Sequence, residues 1–189
     1  MRLISGYGAA TLAAWEVVRR IFNSALIPGM SLARAVPAMV GQNLGAAQPK
    51  RAQRAVGLIA RLTLGITVGT LGALALFAPQ VMQLFSGDED SIGVGSYILR
   101  LLSLGYLAYV LNLVFDAAQA GAGDTVSPMI INILTLWLVQ VPLAYGLSHL
   151  LGLGANGLWI ALILGWGAQL SLMFLRYRQG HWQTVGTLE

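Results

Sequence analysis

Charge is what this sequence has least of. Only 10% of its 189 residues are Asp, Glu, Lys or Arg, against about 25% in an ordinary soluble domain. A chain this poor in charge cannot clothe a water-exposed surface, which excludes a soluble globular fold. Cysteine is absent, so disulfides and thiolate metal sites are excluded as well. The two histidines, His149 and His181, have no partner at metal-ligand spacing. No serine belongs to a Ser, His and Asp arrangement, so the pattern offers nothing for hydrolytic catalysis and the expectation is a protein that is not an enzyme. The first residues are not expected to act as a secretory leader: Arg2 is followed by Gly6, Gly8 and then Glu16, Arg19 and Arg20, without the layout of an apolar core and cleavage site.

What the chain has instead is apolar length. Hydrophobic residues make up 57%, and the mean hydropathy is +0.72. No charged residue occurs in the 26 positions from Leu62 to Gly87, or in the 51 from Thr125 to Leu175. A bilayer core needs about 20 residues per helix, so the first run holds one crossing and the second holds two. The fold expected is an all-α polytopic membrane bundle in contact with lipid. Glycine is frequent at 23 residues, and Gly65 with Gly69 has the spacing that lets a neighbouring helix come close.

The net charge of +4 and pI near 9.9 do not point to nucleic acid, because the basic residues are scattered along apolar helices. They fit the positive-inside rule. Five spans are expected, at about 10–43, 49–78, 92–119, 126–147 and 158–175, with a cytoplasmic tail over 176–189. Pro28-Gly29 predicts a kink in the first span. Between the first two spans, Val36 to Arg54 forms a tight turn in which Gly45 suits a left-handed helix end and Pro49 a helix start. Lys50, Arg51 and Arg54 follow immediately, on the side shared with Arg176 and Arg178. The acidic loop from Pro79 to Ser91, with Asp88, Glu89 and Asp90, is expected on the opposite side. Asp124 or Thr125 caps the fourth span. Five spans leave Arg2, Arg19 and Arg20 on the outer side with nothing before them to fix orientation, which predicts preceding helices.

Several segments together resemble one family: Leu12-Ala13-Ala14, Arg20, Pro28-Gly29, Gly41-Gln42-Asn43-Leu44-Gly45-Ala46, Gly121-Ala122-Gly123-Asp124-Thr125-Val126-Ser127-Pro128 and Gln140-Val141-Pro142-Leu143-Ala144-Tyr145. Their order and spacing are similar to those of the multidrug and toxic compound extrusion (MATE) family. The resemblance implies twelve-helix antiporters of the bacterial inner membrane, built as two six-helix lobes that rock around a central cavity. They export drugs and organic cations against Na+ or H+ entry and need no other cofactor. By this resemblance the chain matches the last five helices, most of the second lobe, and its partner is the remaining N-terminal helices in the same or another chain. It departs from the family where some members carry an aspartate, which aligns near Tyr109, and it has Gln119-Ala120 where an arginine is usual.

The residue types then nominate sites. Tyr106, Tyr109, Asn112, Trp137 and Gln140 are candidates for lining a substrate cavity, an apolar wall with sparse hydrogen bonds suited to flat cations. Each also reads as a packing residue. Asp116 is a carboxylate inside a span and reads either as a proton or cation site or as an interfacial group. Pro28, Gly41, Gln42, Gly45, Gly121, Gly123 and Asp124 read as hinge or turn positions. Arg100 reads as an outer-interface anchor, and Glu16 as a local partner of Arg19 and Arg20. Two other functions remain open: a lipid-precursor flippase, which calls for a more basic cavity than Arg34 and Arg100 provide, and a membrane scaffold that transports nothing.

Overall fold

The computed structural model describes residues 9–85 and 87–183. Arg2, Gly6, Gly8 and residues 184–189 of the expected tail lie outside the described residues. Helices occur in the order α1 (Ala9–Ala25), α2 (Ile27–Gly45), α3 (Pro49–Leu76), α4 (Ala78–Gln83), α5 (Glu89–Gly121), α6 (Val126–Leu150) and α7 (Ala155–Arg178), closed by a 3₁₀ turn at His181–Gln183. Among the described residues there is no strand. In hydrocarbon every backbone N–H and C=O must be satisfied within the chain, and helices do this locally.

Four helices, α3, α5, α6 and α7, are long and apolar enough to cross a bilayer unbroken. The first expected span is divided in two at Leu26. Pro28 sits in the first turn of α2, where its missing N–H costs nothing, while its ring crowds the carbonyl four residues back and so ends α1. The break stays hydrogen-bonded, with the Leu26 N–H donating to the Phe22 carbonyl at 3.0 Å and Met30 to Leu26 at 3.0 Å. Pro142 acts differently within α6. There the helix widens to π-turns over Thr135–Gln140 and Gly146–Leu150, the relaxation that accommodates a proline inside a span.

Several expected boundaries move. The loop from Pro79 contains the short helix α4, since Pro79 again occupies a first-turn position. The third span starts at Glu89, three residues before Ile92, because Asp88 caps it: the Ser91 N–H donates to Asp88 Oδ2 at 3.0 Å and the Ser91 hydroxyl at 2.6 Å. The Ser91 hydroxyl and amide hold the Asp88 carboxyl below its ordinary pKa. The tail begins later than expected. Arg176 and Arg178 complete α7, and Trp182 is buried, its indole N–H donating to the Tyr177 carbonyl at 2.9 Å.

Gly45 is not the left-handed residue. Helix α2 runs through it, and the chain reverses at Ala47, whose φ is 54°. Ala47 donates to Leu44 and Gln48 to Asn43, at 2.9 and 2.8 Å, which is the Schellman pattern displaced by two residues. The end of α5 repeats it with glycine in place: Gly123 has φ 91°, and Gly123 and Asp124 donate to Ala120 and Gln119, both at 3.0 Å.

Helix α5 is the hub, packed against α1, α2, α3, α4 and α7. One apolar cluster surrounds its first half, including Phe22, Leu71, Met82, Leu102, Val110 and Trp159. A second surrounds its last turns, with Val36, Val40, Ala52, Val56, Val114 and Trp182. Between helices in lipid, close contact rather than release from water drives association, so small residues mark the tightest crossings. Those crossings are at Gly29, Gly95, Gly105, Gly121 and Gly157, where an added Cβ would meet another helix at under 3 Å, at Gly95 the flexible Met82 side chain of α4. Gly65 and Gly69 are not among them: nothing lies within 4 Å of either. The buried stripe of α3 is Ala52, Val56, Ile59, Thr63, Thr67 and Leu71, and the two glycines fall outside it.

Candidate functional site

Tyr106 and Tyr109 lie one turn apart on α5 and project into a shared aromatic group. The Tyr106 ring stacks on Phe22 of α1 at 4.0 Å between centroids and meets Trp166 of α7 at 4.8 Å. Tyr109 sits edge-on to Tyr106 at 5.8 Å and 5.5 Å from Trp166. Tyr106 is buried and Tyr109 half-buried, so the first is a packing ring and the second is less enclosed. Neighbouring Gly105 admits this cluster, since a Cβ there would lie 2.9 Å from Trp166 Cε3.

The other three expected cavity residues are not gathered here. Asn112 is 2% exposed with Oδ1 lacking a hydrogen-bond donor, and it lies within the bundle rather than on an open wall. Trp137 is 63% exposed on α6, away from the tyrosines. Gln140 lies flat over Gly165 of α7, its carbons 3.1–3.2 Å from the place a Cβ would occupy, and so serves the α6–α7 contact.

Asp116 has the more pronounced surroundings. It opens into a cavity of about 400 Å³ between α2 and α5, lined by Met30, Ala33, Arg34, Pro37, Leu113 and Ala117 as well. That volume falls within the range of small-molecule sites, about 300–1,000 Å³. One oxygen, Oδ2, accepts from Asn132 Nδ2 of α6 at 3.4 Å, and Asn132 Oδ1 in turn accepts from Gln169 Nε2 of α7. The chain of bonds fixes the Asn132 amide with its NH₂ toward the carboxylate. Helices α5, α6 and α7 thus meet at one carboxylate.

Sequence reasoning nominated Asp116 but neither partner. The signal was available: Asn132 and Gln169 are amides in a run without charge, and an uncompensated amide in a span needs a partner. It also missed Trp166 and Phe22, since an aromatic in an apolar span carries no periodic mark of what it stacks on. Arg19 and Glu16 pair as expected, at 2.7 Å. Arg100 donates from Nε to the Ala75 carbonyl at 3.1 Å, satisfying a free carbonyl at the end of α3.

The turn motifs meet at the basic end. A Cβ on Gly41 would lie 3.4 Å from the Gly121 carbonyl oxygen, so the Gly41 and Gly121 segments touch. Gln42 accepts the α2 cap through its carbonyl, from Ala46 at 3.1 Å. Asp124 rather than Thr125 caps α6, with Ser127 N–H donating to Oδ1 at 3.0 Å. Arg176 of α7 donates to Asp124 Oδ2 at 3.4 Å and to the Ser127 hydroxyl at 3.0 Å. Burial raises the Asp124 pKa, but the Ser127 bonds and the Arg176 guanidinium outweigh it and leave the carboxyl below its ordinary value.

A bundle with four helices long and apolar enough to cross a bilayer belongs to the class of multi-pass membrane proteins. The chain belongs to the MatE family, whose sequence model matches residues 1–146, and that family consists of transporters rather than enzymes. It is 25% identical over 175 residues to the probable multidrug resistance protein YoeA of Bacillus subtilis (strain 168), across 93% of this chain and 38% of that protein. It is 23% identical over 183 residues to the probable multidrug resistance protein NorM of Thermotoga maritima, across 96% and 39%. Among solved structures it superposes on the outward-facing conformation of a multidrug resistance MATE family transporter of the MOP superfamily, with a TM-score of 0.86 at 24% identity, over 94% of this chain and 40% of that one. The chain spans about two fifths of the length of these relatives.

Proposed function

We propose that this chain serves as part of one lobe of a cation-coupled antiporter that exports drugs or organic cations by alternating access across the bacterial inner membrane. It acts with complementary helices carried by the same or another chain, because a groove open on one side encloses a solute only when a second surface closes it. The observation that carries the reading is Asp116, a carboxylate facing the α2–α5 cavity with one oxygen bound by Asn132. An intramembrane carboxylate is costly to keep, and a transported cation or proton is what would compensate it. In this reading Na+ or H+ and the exported cation compete for the same negative charge, so loading one releases the other. Tyr109 and Trp166 supply the aromatic face for a flat organic cation.

The test is efflux of a fluorescent organic cation from proteoliposomes of the full-length protein under an imposed Na+ or H+ gradient. Gradient-dependent flux is expected, and it is expected to disappear in Asp116→Asn. No flux beyond that of protein-free liposomes under either gradient would leave the scaffold reading in its place.

A further inference from the structure

Arg61 stands apart from the other basic residues of α3. Lys50, Arg51 and Arg54 occupy the first two turns, but Arg61 comes two turns later, about 10 Å farther along the axis. Counting back about 30 Å of hydrocarbon from Leu76, at 1.5 Å per residue, reaches the turn of Val56 and Gly57. The Arg61 backbone is therefore inside the apolar slab. Its side chain is exposed, and the two ion pairs among the described residues, Arg19–Glu16 and Arg176–Asp124, do not involve it.

The side chain bends back toward the basic end. A Cβ built on Gly57 would lie 3.9 Å from Arg61 Nη2, so the guanidinium rests over a glycine one turn earlier, at the level where hydrocarbon gives way to phosphate. Beside it runs a groove of about 400 Å³ between α3 and α7, floored by Leu111 and Phe115 of α5 and walled by Leu64, Leu170 and Phe174. Leu111 and Phe115 point away from Leu113 and Ala117, the α5 residues of the Asp116 cavity, by the 200° that two residues subtend on a helix. The groove is thus on the opposite face of α5. At its basic end the Arg178 guanidinium covers the Phe174 ring at 5.8 Å.

We propose that this groove is a binding site for an anionic phospholipid, with an acyl chain along the Leu64–Phe174 walls and the phosphate on Arg61. A cation over a trough whose lining is apolar apart from Ser171, the hydroxyl of which donates to the Gly167 carbonyl, is complementary to one molecule in a membrane, an amphiphile with a negative head and a hydrocarbon tail. The site is separate from the transport cavity and stands whether or not Asp116 couples transport.

The experiment is native mass spectrometry of the purified, delipidated protein titrated with phosphatidylglycerol or phosphatidylcholine of equal chain length. The wild type should bind phosphatidylglycerol about fivefold more tightly, the factor expected for one basic residue at a lipid surface. Arg61→Gln should erase the preference, Leu64→Trp should weaken phosphatidylglycerol with Arg61 intact, and Arg54→Gln should keep it. Equal binding of the two lipids by the wild type overturns the site without recourse to any variant. A preference that survives Arg61→Gln, or binding untouched by Leu64→Trp, overturns it as well.

Discussion

Gly121 of α5 lies against Pro37 of α2 so closely that a Cβ added to it would sit 2.5 Å from Pro37 Cα and 2.7 Å from the Pro37 carbonyl oxygen. Ordinary carbon contacts begin about 1 Å farther out, and backbone cannot rotate aside as a side-chain tip can. Gly121→Ala should therefore destabilise the bundle by about 1–3 kcal/mol, the usual cost of overpacking. Gly65→Ala, with nothing within 4 Å, should be neutral or up to about 1 kcal/mol stabilising through helix propensity. Thermal unfolding of both variants in one detergent measures the contrast. Equal midpoints would mean that α2 and α5 do not cross at this pair.

Tyr106 and Tyr109 share an aromatic group but should respond differently to removal. Tyr106 is buried, stacked on Phe22 at 4.0 Å and beside Trp166. Tyr106→Ala should cost about 3–5 kcal/mol, as for other large aromatics deleted from a packed core. Tyr109→Ala should cost clearly less, because the ring is only half-buried, while lowering affinity for an aromatic cation by about 0.5–2 kcal/mol if the ring receives it. Unfolding midpoints and fluorescent-cation titrations separate the two. A Tyr109→Ala variant as unstable as Tyr106→Ala would assign both rings to packing alone.

The spans were legible because apolar length is a one-dimensional signal, and the runs after Leu62 and Thr125 display it directly. Proline was legible in part. Pro49 and Asp124 act where their chemistry predicted, but Pro28 breaks its helix at Leu26 and Pro79 opens the short α4, since a proline marks the first turn of the helix that follows. Gly45 and Gly123 looked alike in sequence, and only Gly123 has positive φ. Ala47 takes that conformation at the other end, which composition cannot foretell because the Schellman bonds to Asn43 and Leu44 set the register. Of the site, the carboxylate was visible and its amide partners were not. Asn132 and Gln169 lie 37 residues apart on different helices, and nothing local to either one encodes that meeting. The same limit separated Trp137 from the tyrosines: residue type nominated it, and the face of α6 it occupies took it outward.

The Asp124–Arg176 contact ties the α5–α6 turn to the end of α7, and its pH response has a definite sign. The folded-state pKa of Asp124 lies below the ordinary carboxylate value, burial being outweighed by Ser127 and Arg176. A depressed pKa means the ionised form favours folding, so this stability is fully present above about pH 4 and is lost as pH falls through the lowered folded value. Asp124→Asn keeps the cap but not the charge. It should be less stable than wild type by about 0.5–1 kcal/mol at pH 7, given a partly exposed pair, and the gap should close on acidification. Unfolding midpoints taken from pH 7 down to pH 3 provide the check. A gap that stays constant across that range would show that the carboxylate charge contributes nothing.

The relay from Gln169 through Asn132 to Asp116 predicts an ordering among three variants. Asp116→Asn preserves shape, and its amide oxygen still accepts from Asn132 Nδ2, so the fold should survive while the charge that attracts a cation is gone. Asn132→Leu removes both bonds at once and leaves the carboxylate and the Gln169 amide without protein partners; it should cost about 0.6–2 kcal/mol, the range for interhelical hydrogen bonds in lipid. Gln169→Leu breaks only the outer bond and leaves Asn132 free to turn, so it should be milder in stability and in cation affinity. Because the two amides share a bond, the double variant Asn132→Leu with Gln169→Leu should cost less than the singles added together, by about 0.6 kcal/mol. Unfolding midpoints complete the double-mutant cycle, and Na+ and organic-cation titrations report on the charge. Strict additivity would dissolve the relay into separate polar residues, and Asp116→Asn binding cations as wild type does would remove the carboxylate from the site.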